Sequence, residues 1–181
     1  MVNKNERVII TGHSGSGKDW LMRELSKSGL KTSVKTTTRP KRGSEISGIS
    51  YHFIENSEFQ NILESGGFVC HQKFNIVSQD GISDTWYYGI SKDEFNSSQV
   101  FIMTPNEIDQ LHPDVRKECF IVYLDIERSI RESRILKRND SNDSVKRRMD
   151  SDEIDFSHFK NYDLRITDPD FESSLVLSLM F

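Results

Sequence analysis

An open α/β fold, with a parallel core sheet flanked by helices, is what the sequence predicts, and three observations predict it. Short apolar runs recur along the chain at Val8–Thr11, Val100–Met103, Phe120–Leu124 and Leu164–Thr167. Each has the length and continuity of a strand buried on both faces, as parallel strands are. The first run ends in a glycine-rich turn that leads into a helical pattern, the opening unit of such folds. The chain has 181 residues, 35% hydrophobic and 29% charged, enough to enclose a core as one compact domain over 1–181.

Taken in order, Val8-Ile9-Ile10-Thr11 is the first strand and Gly12–Gly17 a small-residue turn. Trp20-Leu21, Leu25 and Leu30 then form a helical apolar stripe, with Gly29 near its stop. Thr36–Gly48 is polar and basic and carries Pro40, so a loop is expected. Ile49–Ile54 alternates toward a strand. Ser57–Ser65 has a capping serine and the terminating pair Gly66-Gly67, which predicts a helix. Phe68–Phe74 and Trp86–Gly89 read as strands, and the polar stretch Asn75–Thr85 as the hairpin tip joining them. Asn106–Leu111 is a short helix, after which Pro113 is expected to break the chain. Charged helices follow over Ile126–Lys137 and Ser144–Met149, with Asn139–Asp143 as the loop between them. Leu164–Thr167 closes the sheet, and Phe171–Met180 is the last helix.

The charge balance, 24 Lys and Arg against 28 Asp and Glu, speaks against a nucleic-acid coat or a polybasic membrane binder. The basic residues cluster nonetheless, at Arg39–Arg42 and between Arg128 and Arg148. Clustered arginine in an acidic chain points to local anion sites. Cys70 and Cys119 are far apart, and the five histidines show no metal-ligand spacing. No apolar run is long enough to span a bilayer. The expectation is a cytoplasmic protein, monomeric or homodimeric, acting on small molecules.

Gly12-His13-Ser14-Gly15-Ser16-Gly17-Lys18 fits the G-x-x-x-x-G-K part of the P-loop pattern. Its glycines let successive backbone N–H groups converge on phosphate oxygens, and the following helix adds its positive end. Lys18 supplies a point charge for a transferring phosphate. ATP is thus expected along Gly12–Asp19. His13 within the loop is expected to pack or hydrogen-bond. The eighth position, where Ser or Thr normally touches magnesium, holds Asp19. A carboxylate is also a hard oxygen ligand, so Asp19 is the candidate contact for Mg²⁺.

Downstream, Thr36-Thr37-Thr38-Arg39-Pro40-Lys41-Arg42-Gly43-Ser44-Glu45 is followed by Gly48, Tyr51-His52-Phe53 and Tyr87-Tyr88-Gly89. This order resembles the signature of guanylate kinases, and with the P-loop in front the resemblance spans nearly the whole chain. It implies a P-loop kinase fold with a core over 1–34, 92–125 and 157–181. A small mixed β subdomain that binds the acceptor is implied over 35–91, and a helical lid over 126–156. It further implies phosphate transfer from ATP to a nucleoside or deoxynucleoside monophosphate, (d)GMP first. Arg39, Arg42, Tyr51 and Tyr88 would hold the acceptor phosphate, through guanidinium forks and neutral phenols. Arg39 would lie between donor and acceptor phosphates. Arg134, Arg138 and Arg148 would close over the transferring group, acting by position and charge, because this reaction asks little covalent chemistry of the protein.

At the places where the family reads guanine, this chain has Lys35 or Thr36, Cys70 and Ile90. A thiol pairs with the donors of guanine less well than a carboxylate does. After the Val100–Met103 strand, where the family carries an acidic pair, the first carboxylate is Glu107. Two other readings accompany the first. Ribose 1,5-bisphosphate kinases resemble guanylate kinases and can carry the Gly-Lys-Asp ending found here. A guanylate-kinase-like domain can also be catalytically silent and bind a protein, although such domains commonly lose the loop or the lid.

Overall fold

The structure is a computed structural model that describes residues 7–77, 83–137 and 145–180, with the main chain alone at 76, 77, 83 and 145–148. In chain order its elements are β1 (Arg7–Gly12), α1 (Lys18–Lys27), β2 (Thr36–Thr37), β3 (His52–Phe53), α2 (Asn56–Glu64), β4 (Phe68–Val77), β5 (Ser83–Ser91), α3 (Lys92–Ser97), β6 (Val100–Ile102), α4 (Pro105–Asp109), α5 (Pro113–Lys117), β7 (Cys119–Leu124), α6 (Arg128–Lys137), α7 (Val145–Phe156), β8 (Leu164–Ile166) and α8 (Ser173–Met180). The chain divides into two compact units, one of Met1–Thr32 with Gln99–Phe181, the other of Ser33–Ser98.

The first unit is built on a parallel sheet in the order β6-β1-β7-β8. Val8, Ile9 and Ile10 of β1 are completely buried, as are Ile121 and Val122 of β7. Both faces of the sheet are therefore covered, which is why these strands read as unbroken apolar runs. Leu21 and Leu25 of α1 and Val176 and Met180 of α8 pack on one face, against Val8, Ile10, Val122 and Leu124. Each such side chain contributes roughly 1.5–3 kcal/mol by leaving water. α1 stops at Ser28, where the N–H groups of Gly29 and Leu30 turn back to the carbonyls of Ser26 and Leu25. That closure puts Gly29 at φ +91°, a conformation suited to glycine.

The second unit carries a mixed sheet in the order β3-β2-β5-β4. β2 runs parallel to β3 and antiparallel to β5, and β4 is antiparallel to β5. Phe59 of α2 is fully buried there, stacked on Phe68 at 4.4 Å.

Several expectations change. Thr36 and Thr37, expected in a loop, form β2, held by Gly89 and Tyr88 on one side and His52 and Phe53 on the other. The strand expected over Ile49–Ile54 shrinks to His52–Phe53. Of the hairpin tip expected over Asn75–Thr85, Asn75–Val77 and Ser83–Thr85 are paired strand, and residues 78–82 lie outside the described residues. Polar side chains tolerate a solvated ribbon, so composition there mimicked a turn. Pro113 starts α5 instead of breaking the chain, because proline suits a first helical position. α7 continues past Met149 to Phe156. Lys92–Ser97 forms α3, capped by Ser91, whose hydroxyl accepts the N–H of Glu94. Glu107 caps α4: its carboxylate accepts the N–H of Thr104 at 2.8 Å, and the Thr104 hydroxyl accepts the N–H of Glu107. Among the described residues no helix is long and apolar enough to cross a membrane.

Candidate functional site

In the first unit, β1 ends at Gly12 and the chain turns through His13–Gly17 into α1. Glycine is required where the loop passes other backbone closely. A Cβ at Gly12 would lie 2.7 Å from the Leu124 carbonyl oxygen. A Cβ at Gly15, whose φ is +78°, would lie 2.7 Å from the carbonyl oxygen of Arg131 in α6. The loop closes on itself through the Ser16 N–H, which donates to the His13 carbonyl at 3.2 Å. Lys18 folds back beneath it and donates from Nζ to the carbonyls of Gly12 and His13, at 2.7 and 2.9 Å. The ammonium is thus fixed at the mouth of the turn, beside the amides expected to meet phosphate.

His13 is buried and stacks on Phe156 of α7 at 4.4 Å; Phe156 in turn stacks on Tyr123 at 5.3 Å. Burial, seconded by the Arg131 charge, pushes the His13 pKa below its ordinary 6.5, so the ring is neutral at pH 7. This is the packing histidine that the sequence suggests. Its neighbour Ser14 donates its N–H to the Asp152 carboxylate of α7 at 2.5 Å. A carboxylate of this chain therefore sits on an amide of the phosphate loop. Arg131 is also buried and donates to the Ile126 carbonyl and to Glu153, each at 2.7 Å.

Arg134 reaches the same loop from α6. Its Nη2 donates to the Pro169 carbonyl at 2.9 Å, and its Nη1 lies 3.5 Å from the carbonyls of Gly15 and Ser16. These residues, with Gly17, Trp20 and Phe171, line a cavity of about 520 Å³ that begins at the loop. Trp20, expected in the buried stripe of α1, is instead 37% exposed. Asp19 is exposed in the first turn of α1. No group of three or more potential metal ligands occurs among the described residues. Arg138 lies outside the described residues; Arg148 lies on α7, and its side chain lies outside the description.

The second unit brings Arg39, Arg42, Tyr51 and Tyr88 together. The Arg39 guanidinium is 4% exposed and makes a two-pronged bond to Glu45, at 2.6 and 3.0 Å. It lies 5.3 Å from the Tyr51 ring centre and 5.7 Å from that of Phe53, close enough for cation–π attraction. Tyr51 meets Tyr88 edge-on at 6.0 Å, and Tyr88 meets Phe74 edge-on at 5.5 Å. Glu45 also accepts the Arg42 N–H at 2.8 Å, which shapes the loop between the two arginines. The Arg42 guanidinium stands 6.0 Å from the Trp86 ring. The Arg39 bond holds the Glu45 carboxyl below its ordinary range against the opposing effect of burial. For Arg39, burial opposes the charge, but Glu45 outweighs it and the pKa is raised.

This loop hangs on β2. The Thr37 hydroxyl donates to the Tyr87 carbonyl at 2.9 Å and accepts the Arg39 N–H at 3.1 Å. Of the positions expected near the base, Cys70 and Ile90 face each other across β4 and β5 and are 1% and 0% exposed. Thr36 is buried within β2, and the Lys35 carbonyl accepts the His52 N–H at 2.9 Å. Sequence reasoning assigned no role to Glu45, Asp152 or Arg131. Glu45 had a local signal, an acid between basic residues; Asp152 and Arg131 had none, because their partners are set by how helices pack.

A strand, a glycine turn closed over a lysine, and a helix define the first unit as a P-loop α/β fold. The family model for guanylate kinase matches residues 4–177, and the chain belongs to that family. It is 30% identical to the guanylate kinase of Idiomarina loihiensis, over 92% of this chain and 80% of that protein. It is likewise 30% identical to the guanylate kinase of Histophilus somni, over 93% of this chain and 82% of that one. In fold it is similar to the crystal structure of guanylate kinase from Anaplasma phagocytophilum, with a TM-score of 0.68, 15% identity, and coverage of 98% of this chain and 86% of that one.

Proposed function

We propose that the protein transfers the γ-phosphoryl group of ATP to GMP or dGMP, giving ADP and (d)GDP. The observation that carries this reading is the second unit's cluster of two guanidinium groups and two phenols, on β5 and the loop that follows β2, in a chain of the guanylate kinase family whose first unit carries a P-loop. A monophosphate bears about two negative charges near neutral pH, and forked cations with neutral hydroxyl donors suit such a group.

In this reading the loop Gly12–Asp19 binds the ATP phosphates, and Lys18 neutralises charge on the group in transfer. Arg134 reaches the loop from α6 and steadies the same oxygens; Arg138 and Arg148 are assigned with it by resemblance. Arg42, Tyr51 and Tyr88 hold the acceptor phosphate. Arg39 joins them, with Glu45 as the partner that orients it. Lys35 and Thr36 are assigned to the base by resemblance; Cys70 and Ile90, at 1% and 0% exposed, belong to the core between the sheet and α2 and α3 and offer the base no surface. The stretches 35–91 and 126–156 are the acceptor-binding and lid portions of the enzyme.

Magnesium fits the donor half through one carboxylate. Asp19 is exposed beside Lys18, and Mg²⁺ is commonly held by one or two carboxylates with phosphates and water completing its shell. When bound it supplies positive charge to the phosphate oxygens. Asp19→Asn should therefore raise the magnesium concentration needed for half-maximal rate. We place the enzyme in the cytoplasm, where ATP and monophosphates meet.

The curated relatives favour this reading over a sugar bisphosphate acceptor or a silent binding domain. Incubation with Mg-ATP and a panel of NMPs, dNMPs and ribose 1,5-bisphosphate, with ADP as readout, tests it. GMP and dGMP should give the highest kcat/KM. Folded protein that forms no acceptor-dependent ADP, or prefers the sugar, would refute it.

A further inference from the structure

We propose that Glu94 is a positioning residue for the acceptor: its carboxylate ties the chain entering β2 to a side chain of β3, and so fixes how Arg39 stands against Tyr51. The inference rests on the reading that their cluster holds the acceptor phosphate.

Every contact involved lies inside the second unit. The cluster leaves the sheet beside its two shortest strands. Arg39 follows the end of β2 by two residues, and Tyr51 immediately precedes β3. The Arg39 guanidinium stands 5.3 Å from the Tyr51 ring centre and 5.7 Å from that of Phe53, so the cluster keeps its form only while β2 and β3 keep their spacing. β2 is well anchored on its other side. It pairs with β5 at Gly89 and Tyr88, and the Thr38 N–H and the Thr37 hydroxyl both donate to the Tyr87 carbonyl, at 3.1 and 2.9 Å. β3 lies at the end of the sheet and pairs with β2 over two residues alone. So short a pairing needs support from outside its own ladder.

Glu94 supplies that support. The Ser91 hydroxyl accepts the Glu94 N–H at 3.2 Å, which sets Glu94 in the first turn of α3. From there one carboxylate oxygen accepts the Val34 N–H at 2.9 Å and the Ser98 hydroxyl at 3.0 Å. Val34 lies two residues before β2. The other oxygen lies 3.5 Å from Nε2 of His52 in β3. The Glu94 side chain is 17% exposed and Ser98 is buried, so water competes weakly at this junction. An ionised carboxylate only accepts hydrogen bonds, and its two oxygens have room for all three partners. An amide in its place has one accepting oxygen and turns N–H groups toward the rest. Glu94 therefore acts on the cluster through Val34 and His52.

Steady-state kinetics of the whole protein test this, with GMP varied at saturating ATP and ATP varied at saturating GMP. Glu94→Ala should raise the GMP KM about tenfold and leave the ATP KM native. Glu94→Gln keeps one accepting oxygen and should raise the GMP KM about threefold. His52→Ala should match that smaller rise, about threefold, and add nothing further in the Glu94→Ala background, because both changes break one link. Ser98→Ala is the control. It removes a donor to the same carboxylate without touching β2 or β3, so the GMP KM should stay native whatever the melting temperature does. A native GMP KM in both Glu94 variants, or a rise in Ser98→Ala equal to that in Glu94→Ala, would leave Glu94 a purely structural residue and overturn the proposal. Additive effects of His52→Ala and Glu94→Ala would do the same. Arg42→Ala separates this inference from the kinase reading. If it raises the GMP KM while the Glu94 variants do not, the acceptor site stands and this inference alone falls. If none of these variants alters the GMP KM, the two fall together.

Discussion

Gly15→Ala tests the loop most directly. The new Cβ would sit 2.7 Å from the Arg131 carbonyl oxygen, 3.2 Å from its carbon and 3.1 Å from the Ile135 Cγ1. Two of these three atoms are backbone of α6, so no flexible side chain can swing aside. Forcing one methyl into packed structure costs about 1–3 kcal/mol, and φ of +78° adds about 1–2 kcal/mol for an L residue. The sum is about 2–5 kcal/mol, or roughly 5–15 °C of melting temperature in a chain of this size. The natural control is Gly29→Ala, with φ +91° and nothing within 4 Å of the added carbon. That variant bears only the backbone cost, about 1 kcal/mol after the entropy removed from its unfolded chain. Relief of the overlap requires α6 to retreat, and with it Arg134, whose Nη1 lies against the Gly15 and Ser16 carbonyls. Calorimetric melting and ATP kinetics should therefore separate the two: Gly15→Ala melts several degrees lower and has a raised ATP KM, whereas Gly29→Ala keeps the native KM. Equal melting temperatures with equal KM values would refute the close packing of loop and helix.

Other perturbations have equally definite outcomes. Lys18→Ala should abolish phosphoryl transfer in steady-state assays while the far-ultraviolet circular dichroism stays native. Arg42→Ala removes an exposed side chain whose backbone bonds to Glu45 remain, so melting should hold while the GMP KM rises about tenfold, the worth of a charge-assisted hydrogen bond. Glu45 has a depressed folded pKa, so its bond to Arg39 contributes fully above the ordinary glutamate value of 4.5 and is lost as pH falls through the folded value. Glu45→Gln should flatten that acid limb of the stability curve. His13 is also depressed, by burial and then by Arg131, with Glu153, Asp152 and Asp125 opposing. The unfolded chain takes up the proton first, so stability is full above pH 6.5 and declines below it toward the folded pKa. His13→Phe should remove that decline in urea titrations from pH 7 to 5.

What the sequence could disclose followed from whether a residue's task is local. The P-loop is contiguous, so Gly12–Lys18 announces itself by spacing, and its turn demands glycine wherever other backbone comes near. The Arg39–Glu45 loop is contiguous as well, and its position before a strand was legible, yet the bond inside it was not. A six-residue separation in an irregular loop has no period to mark it. Trp20 shows the limit of pattern reading within a helix: an apolar letter beside Leu21 looks like part of the stripe until the rotation of 100° per residue is applied to the actual packing. Asp152 is harder still. Its contact with Ser14 spans 138 positions and exists because α7 runs on to Phe156, whose ring stacks on His13. The run Asp150-Ser151-Asp152 argues against helix by propensity, and one aromatic contact a turn further on offsets it. The same contact brings a carboxylate to an amide that the motif reserves for phosphate. Nucleotide affinity in this chain is therefore partly a property of α7. Asp152→Asn should lower the ATP KM, because a neutral amide competes less well for the Ser14 N–H, and an unchanged or raised KM would show that the carboxylate and the phosphates do not contend for the loop.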